Sequence, residues 1–134
     1  MKRRWNDERG ALSTFVAVIA LPMLMAAGLA LDGGRKVVAL QSATHLADGA
    51  ARAGAQAVDL DTLRTTGELR VLPDQAATRA GDYLANLGHT GRVTVSGDTV
   101  TVTVSLTVNP TLLPIGAITV TATQTAAAVT EEAG

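Results

Sequence analysis

A chain of 134 residues is long enough for one small domain, and its formal net charge of −1 leaves no strong field to attract nucleic acid. The absence of cysteine excludes disulfide bonds, thiolate metal ligands and a cysteine nucleophile. Hydrophobic residues make up 47% of the chain but aromatic residues only 2%. Alanine, valine, threonine and leucine supply the bulk instead, so a folded core must be built from small side chains.

The first predicted element is a transmembrane helix over residues 10–31. These 22 residues carry no charge, and as a helix they would extend about 33 Å, enough to cross a hydrocarbon layer of about 30 Å. Pro22 lies near the middle of the run, where a membrane helix tolerates a kink.

The charges beside this run predict its orientation. Basic residues are retained on the cytoplasmic side of a membrane, and residues 1–9 contain four of them: Lys2, Arg3, Arg4 and Arg9. We therefore expect a cytoplasmic leader, a single pass through the plasma (inner) membrane, and everything after about residue 32 outside the cytoplasm. The alternative is a secretory signal peptide cleaved after Gly28-Leu29-Ala30, although the run is longer than an ordinary signal sequence.

Beyond the membrane, residues 32–58 are predicted to extend the same helix. The segment is rich in alanine, the strongest helix former, and its apolar residues recur at helical spacing. The pair Gly33-Gly34 either bends the helix or is absorbed by it. Residues 59–72 are polar and mixed, which predicts a loop or a short irregular segment.

The remaining residues predict a short helix followed by three strands. The helix, at about 74–87, has an apolar stripe and a stop at Gly88. Valines then alternate with threonines and serines on both sides of the turn 96–98, which indicates a hairpin, and a third alternating run starts near Ile118. We therefore predict an α+β head over 59–134: a small three-stranded antiparallel sheet, covered by helices on its apolar face.

The sequence offers no constellation of residues that predicts catalysis. His45 and His89 stand alone, without further ligands at metal-binding spacing, and Asp59 and Asp61 are typical of solvated loop carboxylates. We predict no catalytic residue, no cofactor, no metal site, no nucleic acid partner and no small-molecule substrate. The protein is expected not to be an enzyme.

The order of motifs between residues 9 and 58 resembles the TadE/TadG-like proteins of tight-adherence (Flp) pilus assembly. Members of this group have Arg-Gly, a short Ser/Thr lead and Phe, then an apolar run with a central proline, a Leu-Asp-x-Gly-Arg motif and an alanine-rich helix. The corresponding residues are Arg9, Gly10, Ser13, Thr14, Phe15, Pro22, Leu31, Asp32, Gly34 and Arg35.

This resemblance implies a pseudopilin-like or accessory subunit of pilus assembly, whose partners are the membrane, other assembly proteins and related pseudopilins. It also implies a possible prepilin-type cut after Gly10, with Ala11 as the new N-terminus. Where such proteins usually carry a glutamate, five residues after the glycine, this chain has Phe15. The sequence therefore leaves open whether the chain is cut or retained whole.

Two further interpretations concern contact surfaces. Ala27, Gly28 and Ala30 are small enough to let another membrane helix approach closely, or they only fill space. The Thr-rich face of the sheet suggests an alternative function, a secreted or anchored binding module with no role in a pilus.

Overall fold

A computed structural model of the chain describes residues 4–112 and 115–129. It has the predicted α+β fold: a long apolar helix, short helices and a three-stranded antiparallel sheet. In chain order the elements are α1 (Arg4–Ala55), α2 (Leu60–Thr66), α3 (Pro73–Asn86), β1 (Gly91–Ser96), β2 (Thr99–Val108) and β3 (Ile118–Ala127).

Helix α1 is continuous over 52 residues and includes Pro22. At 1.5 Å per residue it is about 78 Å long, more than twice the thickness of a bilayer core. The helix continues through Gly33 and Gly34, so this glycine pair is absorbed rather than marking a break between two helices. One unbroken helix therefore serves both the apolar N-terminal segment and the head.

The N-terminal half of α1 is apolar and exposed. Among the described residues, one helical stretch, Gly10–Ala55, is long and apolar enough to cross a membrane, and only 6% of its most apolar window is buried. Large side chains such as Phe15, Val18 and Leu24 are 63–70% exposed. A core helix of a water-soluble domain would bury these groups, so this segment fits a single-pass membrane protein.

The sheet is a simple meander with the order β1-β2-β3, and both strand pairs are antiparallel. Ser96 pairs with Thr99 across a tight turn, in which Gly97 has a φ of 62°. That backbone conformation suits glycine, which explains why a glycine stands at the turn. The predicted hairpin and third strand are both present.

One face of the sheet is covered by α1 and α3, and the core lies between these layers. From the sheet, Val100, Val102 and Val104 are completely buried. The helices contribute mostly alanine, which brings their backbones close to the strands. The buried helical residues are Ala43, Ala47, Ala50, Ala51, Ala55, Ala76, Ala80 and Leu84.

Helix α1 approaches α3 and β2 closely at Gly54. A Cβ atom placed on Gly54 would lie 3.0 Å from the Ala76 carbonyl oxygen and 3.0 Å from a methyl carbon of Val100. Both neighbours belong to buried, regular elements with little room to move. Gly54 therefore allows α1, α3 and β2 to meet at one point.

The structure differs from the sequence prediction in the segment 59–72, where it has helix α2 instead of a continuous loop. Asp59 caps this helix: its carboxylate accepts hydrogen bonds from the backbone N–H groups of Asp61 and Thr62, both at 3.1 Å. Gly67 ends the helix in the left-handed conformation. An isolated β-bridge between Val58 and Val71 then brings the two ends of the segment together.

The cap predicts a pH-dependent contribution to stability. The Thr62 hydroxyl, which donates to Asp59 at 2.6 Å, is the main cause that lowers the pKa of the Asp59 carboxyl below its ordinary value, and backbone N–H groups add to it. A lowered folded-state pKa means that the stabilisation is present above the unfolded pKa and is lost as the pH falls through the folded value.

We therefore expect Asp59→Ala to lower the Tm near neutral pH. The difference in Tm between this variant and the parent chain should become smaller as the solution is acidified below about pH 4. Thermal unfolding followed by circular dichroism between pH 3 and pH 7 measures this. Asp82→Ala, which removes an exposed carboxylate from the body of α3, is the control. An Asp59→Ala deficit that stays constant over this pH range would contradict the assignment.

Candidate functional site

The residues singled out from the sequence lie at two levels of α1. Gly10 and Ala11 are exposed near the start of the apolar run, and Ala27 and Ala30 are exposed near its end. Gly28, between them, is buried. What covers Gly28 is a part of the same chain that lies far away in sequence.

A carboxylate on α1 holds the connection between β2 and β3, which we call the β2–β3 loop (109–117). Asp32 accepts hydrogen bonds from the backbone N–H groups of Thr111 and Leu112, both at 3.3 Å. Its side chain is only 6% exposed. Backbone donors in a loop need acceptors, and a charged acceptor gives stronger bonds than a neutral one. Asp32 thus fixes the loop against the helix.

Arg35 completes the contact from the next turn of α1. Its guanidinium donates a hydrogen bond to the Thr111 hydroxyl and lies 3.9 Å from the Asp32 carboxylate. Residues three apart on a helix share a face, so Asp32 and Arg35 point to the same loop. We call these two side chains and Thr111 the clamp.

The tip of the loop reaches down the helix toward its apolar end. The Cβ of Leu112 would lie 3.6 Å from a Cβ placed on Gly28, which is ordinary van der Waals contact. Gly28 belongs to the charge-free run of residues 10–31. The β2–β3 loop therefore spans from the clamp to the end of the apolar segment.

The opposite face of the sheet carries hydroxyl groups that bind to one another. Three cross-strand pairs between β2 and β3 are hydrogen-bonded at 2.9–3.0 Å: Thr101 with Thr125, Thr103 with Thr123, and Ser105 with Thr121. Such pairs stabilise a sheet from its exposed side. This arrangement explains the Thr-rich pattern without a ligand.

Neither histidine belongs to a cluster of possible ligands. Within the described ranges no group of three or more His, Asp or Glu side chains could hold a metal ion. His45 is exposed on α1 and His89 is half-buried after α3. The clamp is a polar contact between parts of the described chain that are distant in sequence, and it attaches a loop to α1.

Comparison with known proteins identifies a recognisable segment that contains Asp32 and Arg35. Residues 10–57 match the family model Tad, described as "Putative Flp pilus-assembly TadE/G-like". The chain carries a Tad segment. This confirms the resemblance seen in the sequence. No curated protein and no solved structure matches the chain.

The Tad segment covers α1 from the start of its apolar run to its C-terminal end. It starts at the first residue of the apolar run and ends two residues beyond the end of the helix. Asp32 and Arg35 of the clamp lie inside the Tad segment, whereas the loop that they hold lies outside it. The Tad helix is thus both the apolar segment and the scaffold on which the sheet is built.

Sequence reasoning missed the loop partner of the clamp. The Leu-Asp-x-Gly-Arg motif was visible, but Thr111 follows Asp32 by 79 positions, and no local pattern joins residues so far apart. The available signal was the apolar, charge-free sequence of the loop itself, which is unusual for a connection on a protein surface.

Proposed function

We propose that the protein is a membrane-anchored, pseudopilin-like or accessory subunit in the assembly of a tight-adherence (Flp-type) pilus or a related secretion system. The anchor is residues 10–31, the stem is 32–58, and the head is 59–134. The observation that carries this proposal is the Tad match over 10–57, because it covers the anchor and stem as one unit.

The orientation in this proposal follows from the charges. The four basic residues of the leader remain in the cytoplasm, and the head stands outside the inner membrane. Retention of the anchor is supported by the continuity of α1. A signal peptidase cut after Ala30 would fall inside the helix, two residues before the carboxylate that holds the β2–β3 loop.

The anchor is proposed to pack against the helix of another assembly subunit. Ala27 also lines an apolar groove beside Leu112, whereas Ala30 lies on the side of α1 that faces away from the β2–β3 loop. Both alanines lie at about 140–160° around the helix from Met25. The same side continues beyond the apolar run to Val37 and Val38, which are 55% and 62% exposed. Small residues followed by exposed valines suit a neighbouring helix. Gly28, in contrast, is used within the chain.

Processing after Gly10 fits this function but is not required by it. Gly10 and Ala11 are exposed in α1, and removal of the leader would leave the apolar run, the clamp and the head intact. N-terminal sequencing of the protein from membranes and from sheared filaments distinguishes chains that begin at Met1 from those that begin at Ala11.

Photo-crosslinking in cells tests the function. With a photoreactive amino acid at Ala27 or Ala30, we expect crosslinks to pilus-assembly proteins or related pseudopilins. The same group at Met25, on the opposite side of the same helix turn, should give fewer. Deletion of the gene should reduce the number of surface pili, and the unmodified chain should restore them. Normal piliation after deletion, together with no crosslink at either alanine, would refute the proposal.

The binding-module alternative lacks a supporting observation. It relied on the Thr-rich sheet face, whose hydroxyl groups are paired with one another across β2 and β3. We likewise propose no catalytic role, since the family is described by pilus assembly and not by a reaction.

A further inference from the structure

We propose that the β2–β3 loop is a second membrane contact, which places Leu112 and Ile115 in the outer leaflet beside α1. The inference rests on the proposed membrane anchor and adds to it. It assigns a lipid surface as the partner of a part of the head that lies outside the Tad segment.

The loop reaches the level of the apolar run. Leu112 packs on Gly28, which lies inside the charge-free run, whereas Asp32 is the first charged residue after it. Asp32 follows Gly28 by four positions on the helix, a distance of about 6 Å along the axis. If residues 10–31 cross the membrane, the Leu112 side chain lies on the hydrocarbon side of Asp32.

The β2–β3 loop is uncharged and exposes large apolar side chains. Residues 109–117 contain no charged side chain, and Leu112 and Ile115 are 57% and 51% exposed. A loop in water is normally polar, and its apolar side chains gain nothing from exposure. In contact with acyl chains the same side chains are favourably solvated.

The apolar surface of the loop is continuous with that of the anchor. Leu112, the helix residues from Leu24 to Leu29, and Leu31 line one apolar groove of about 680 Å³. The groove opens onto side chains that are already exposed on the anchor, including Leu24, Met25 and Leu29. Its walls are almost entirely hydrocarbon, so we assign an acyl chain of the surrounding lipid as its occupant.

The polar groups of the clamp lie on the water side of the groove, as a membrane contact requires. Asp32, Arg35 and Thr111 bond to one another directly above the groove, and Lys36 is exposed on the next position of α1. Basic side chains at this level can reach lipid phosphates, while the buried carboxylate stays paired with the loop. The loop thus has an apolar tip toward the membrane and a polar attachment toward the water.

Depth-dependent fluorescence quenching tests this inference. Because the chain has no cysteine, single replacements Leu112→Cys and Ile115→Cys can carry an environment-sensitive fluorophore. The full chain is reconstituted in phosphatidylcholine vesicles with or without lipids that hold a nitroxide on the upper part of the acyl chain. We expect a blue-shifted emission and a loss of fluorescence with the nitroxide lipids at both positions.

Two further single-cysteine variants provide reference levels of quenching. Val18→Cys reports the middle of the anchor, and Ser96→Cys reports the far end of the sheet, next to the turn between β1 and β2. Quenching at Val18 but not at Leu112 or Ile115 beyond the level of Ser96 would overturn the loop contact and leave the anchor intact. No quenching at Val18 would refute the anchor itself. A blue shift at Leu112 without lipid quenching would indicate cover by a second copy and would also overturn the inference.

A charge placed on the loop provides an independent check. Leu112→Asp in the Ile115→Cys background should reduce the quenching at residue 115, because a carboxylate resists transfer into hydrocarbon. Leu60→Asp, which alters an equally exposed leucine on α2, should leave it unchanged. Equal quenching in both variants would contradict the proposed insertion.

Discussion

Replacing Asp32 with alanine is expected to release the β2–β3 loop from α1. The exchange of the Thr111 and Leu112 amide hydrogens should become faster by roughly 10- to 100-fold, because hydrogen bonds to a charged acceptor contribute about 1.5–3 kcal/mol. Both amides donate to this one carboxylate. Hydrogen exchange of the full chain in detergent micelles, read at these two amides, measures the effect.

The control for this experiment is Asp48→Ala on the same helix. Asp48 forms an exposed ion pair with Arg52, one turn further along α1, and such pairs contribute little. Exchange at Thr111 and Leu112 should not change in this variant. Asp32→Asn should fall between the parent and Asp32→Ala, since an amide oxygen still accepts a hydrogen bond but carries no charge. Unchanged loop exchange in Asp32→Ala would show that the clamp does not hold the loop.

Replacing Gly54 with valine is expected to destabilise the head by about 1–3 kcal/mol, the usual effect of overpacking a well-filled core. A Cβ at this position already lies 3.0 Å from the Ala76 carbonyl oxygen and a Val100 methyl carbon. The added methyl groups must displace α3 or β2. For a domain of this size the Tm should fall by roughly 4–8 °C per kcal/mol, as measured by circular dichroism.

Gly81→Val is the matched control, because a Cβ at Gly81, on α3, meets no atom of the described chain within 4 Å. There the loss of a flexible glycine from a helix should leave stability unchanged or slightly higher. Gly54→Ala adds only the Cβ and should be less harmful than Gly54→Val, which keeps the comparison informative if the valine variant does not fold. A Tm of Gly54→Val equal to that of Gly81→Val would disprove the close contact.

Both experiments concern a helix that has one half suited to a membrane and the other half packed in a folded head. The exposed half of α1 fits a bilayer, and its other half supplies the alanines that pack on the sheet. Because no loop separates the halves, the direction of α1 also sets the direction of the head. The clamp adds a second attachment close to the end of the apolar run, so the head is fixed at two points along the helix.

Local patterns were sufficient for most of the secondary structure. Alternating valines and threonines predicted the hairpin and third strand, and helical spacing of alanine predicted the stem and α3. The same patterns did not predict α2. Its helical conformation depends on a cap at Asp59, a left-handed glycine at Gly67 and the bridge between Val58 and Val71, and this last contact forms only when the segment folds back.

The sequence by itself determined the apolar helix, the strands and the resemblance of the N-terminal part to Tad proteins, because charge-free length, residue periodicity and the order of short motifs are local properties of a chain. Only the tertiary structure decided what Gly28, Asp32 and Gly54 do. Each of these residues meets a group that lies 22 to 84 positions away in sequence, and such meetings are set by the packing of α1 against the sheet and α3. The same packing places the β2–β3 loop beside the apolar segment of α1.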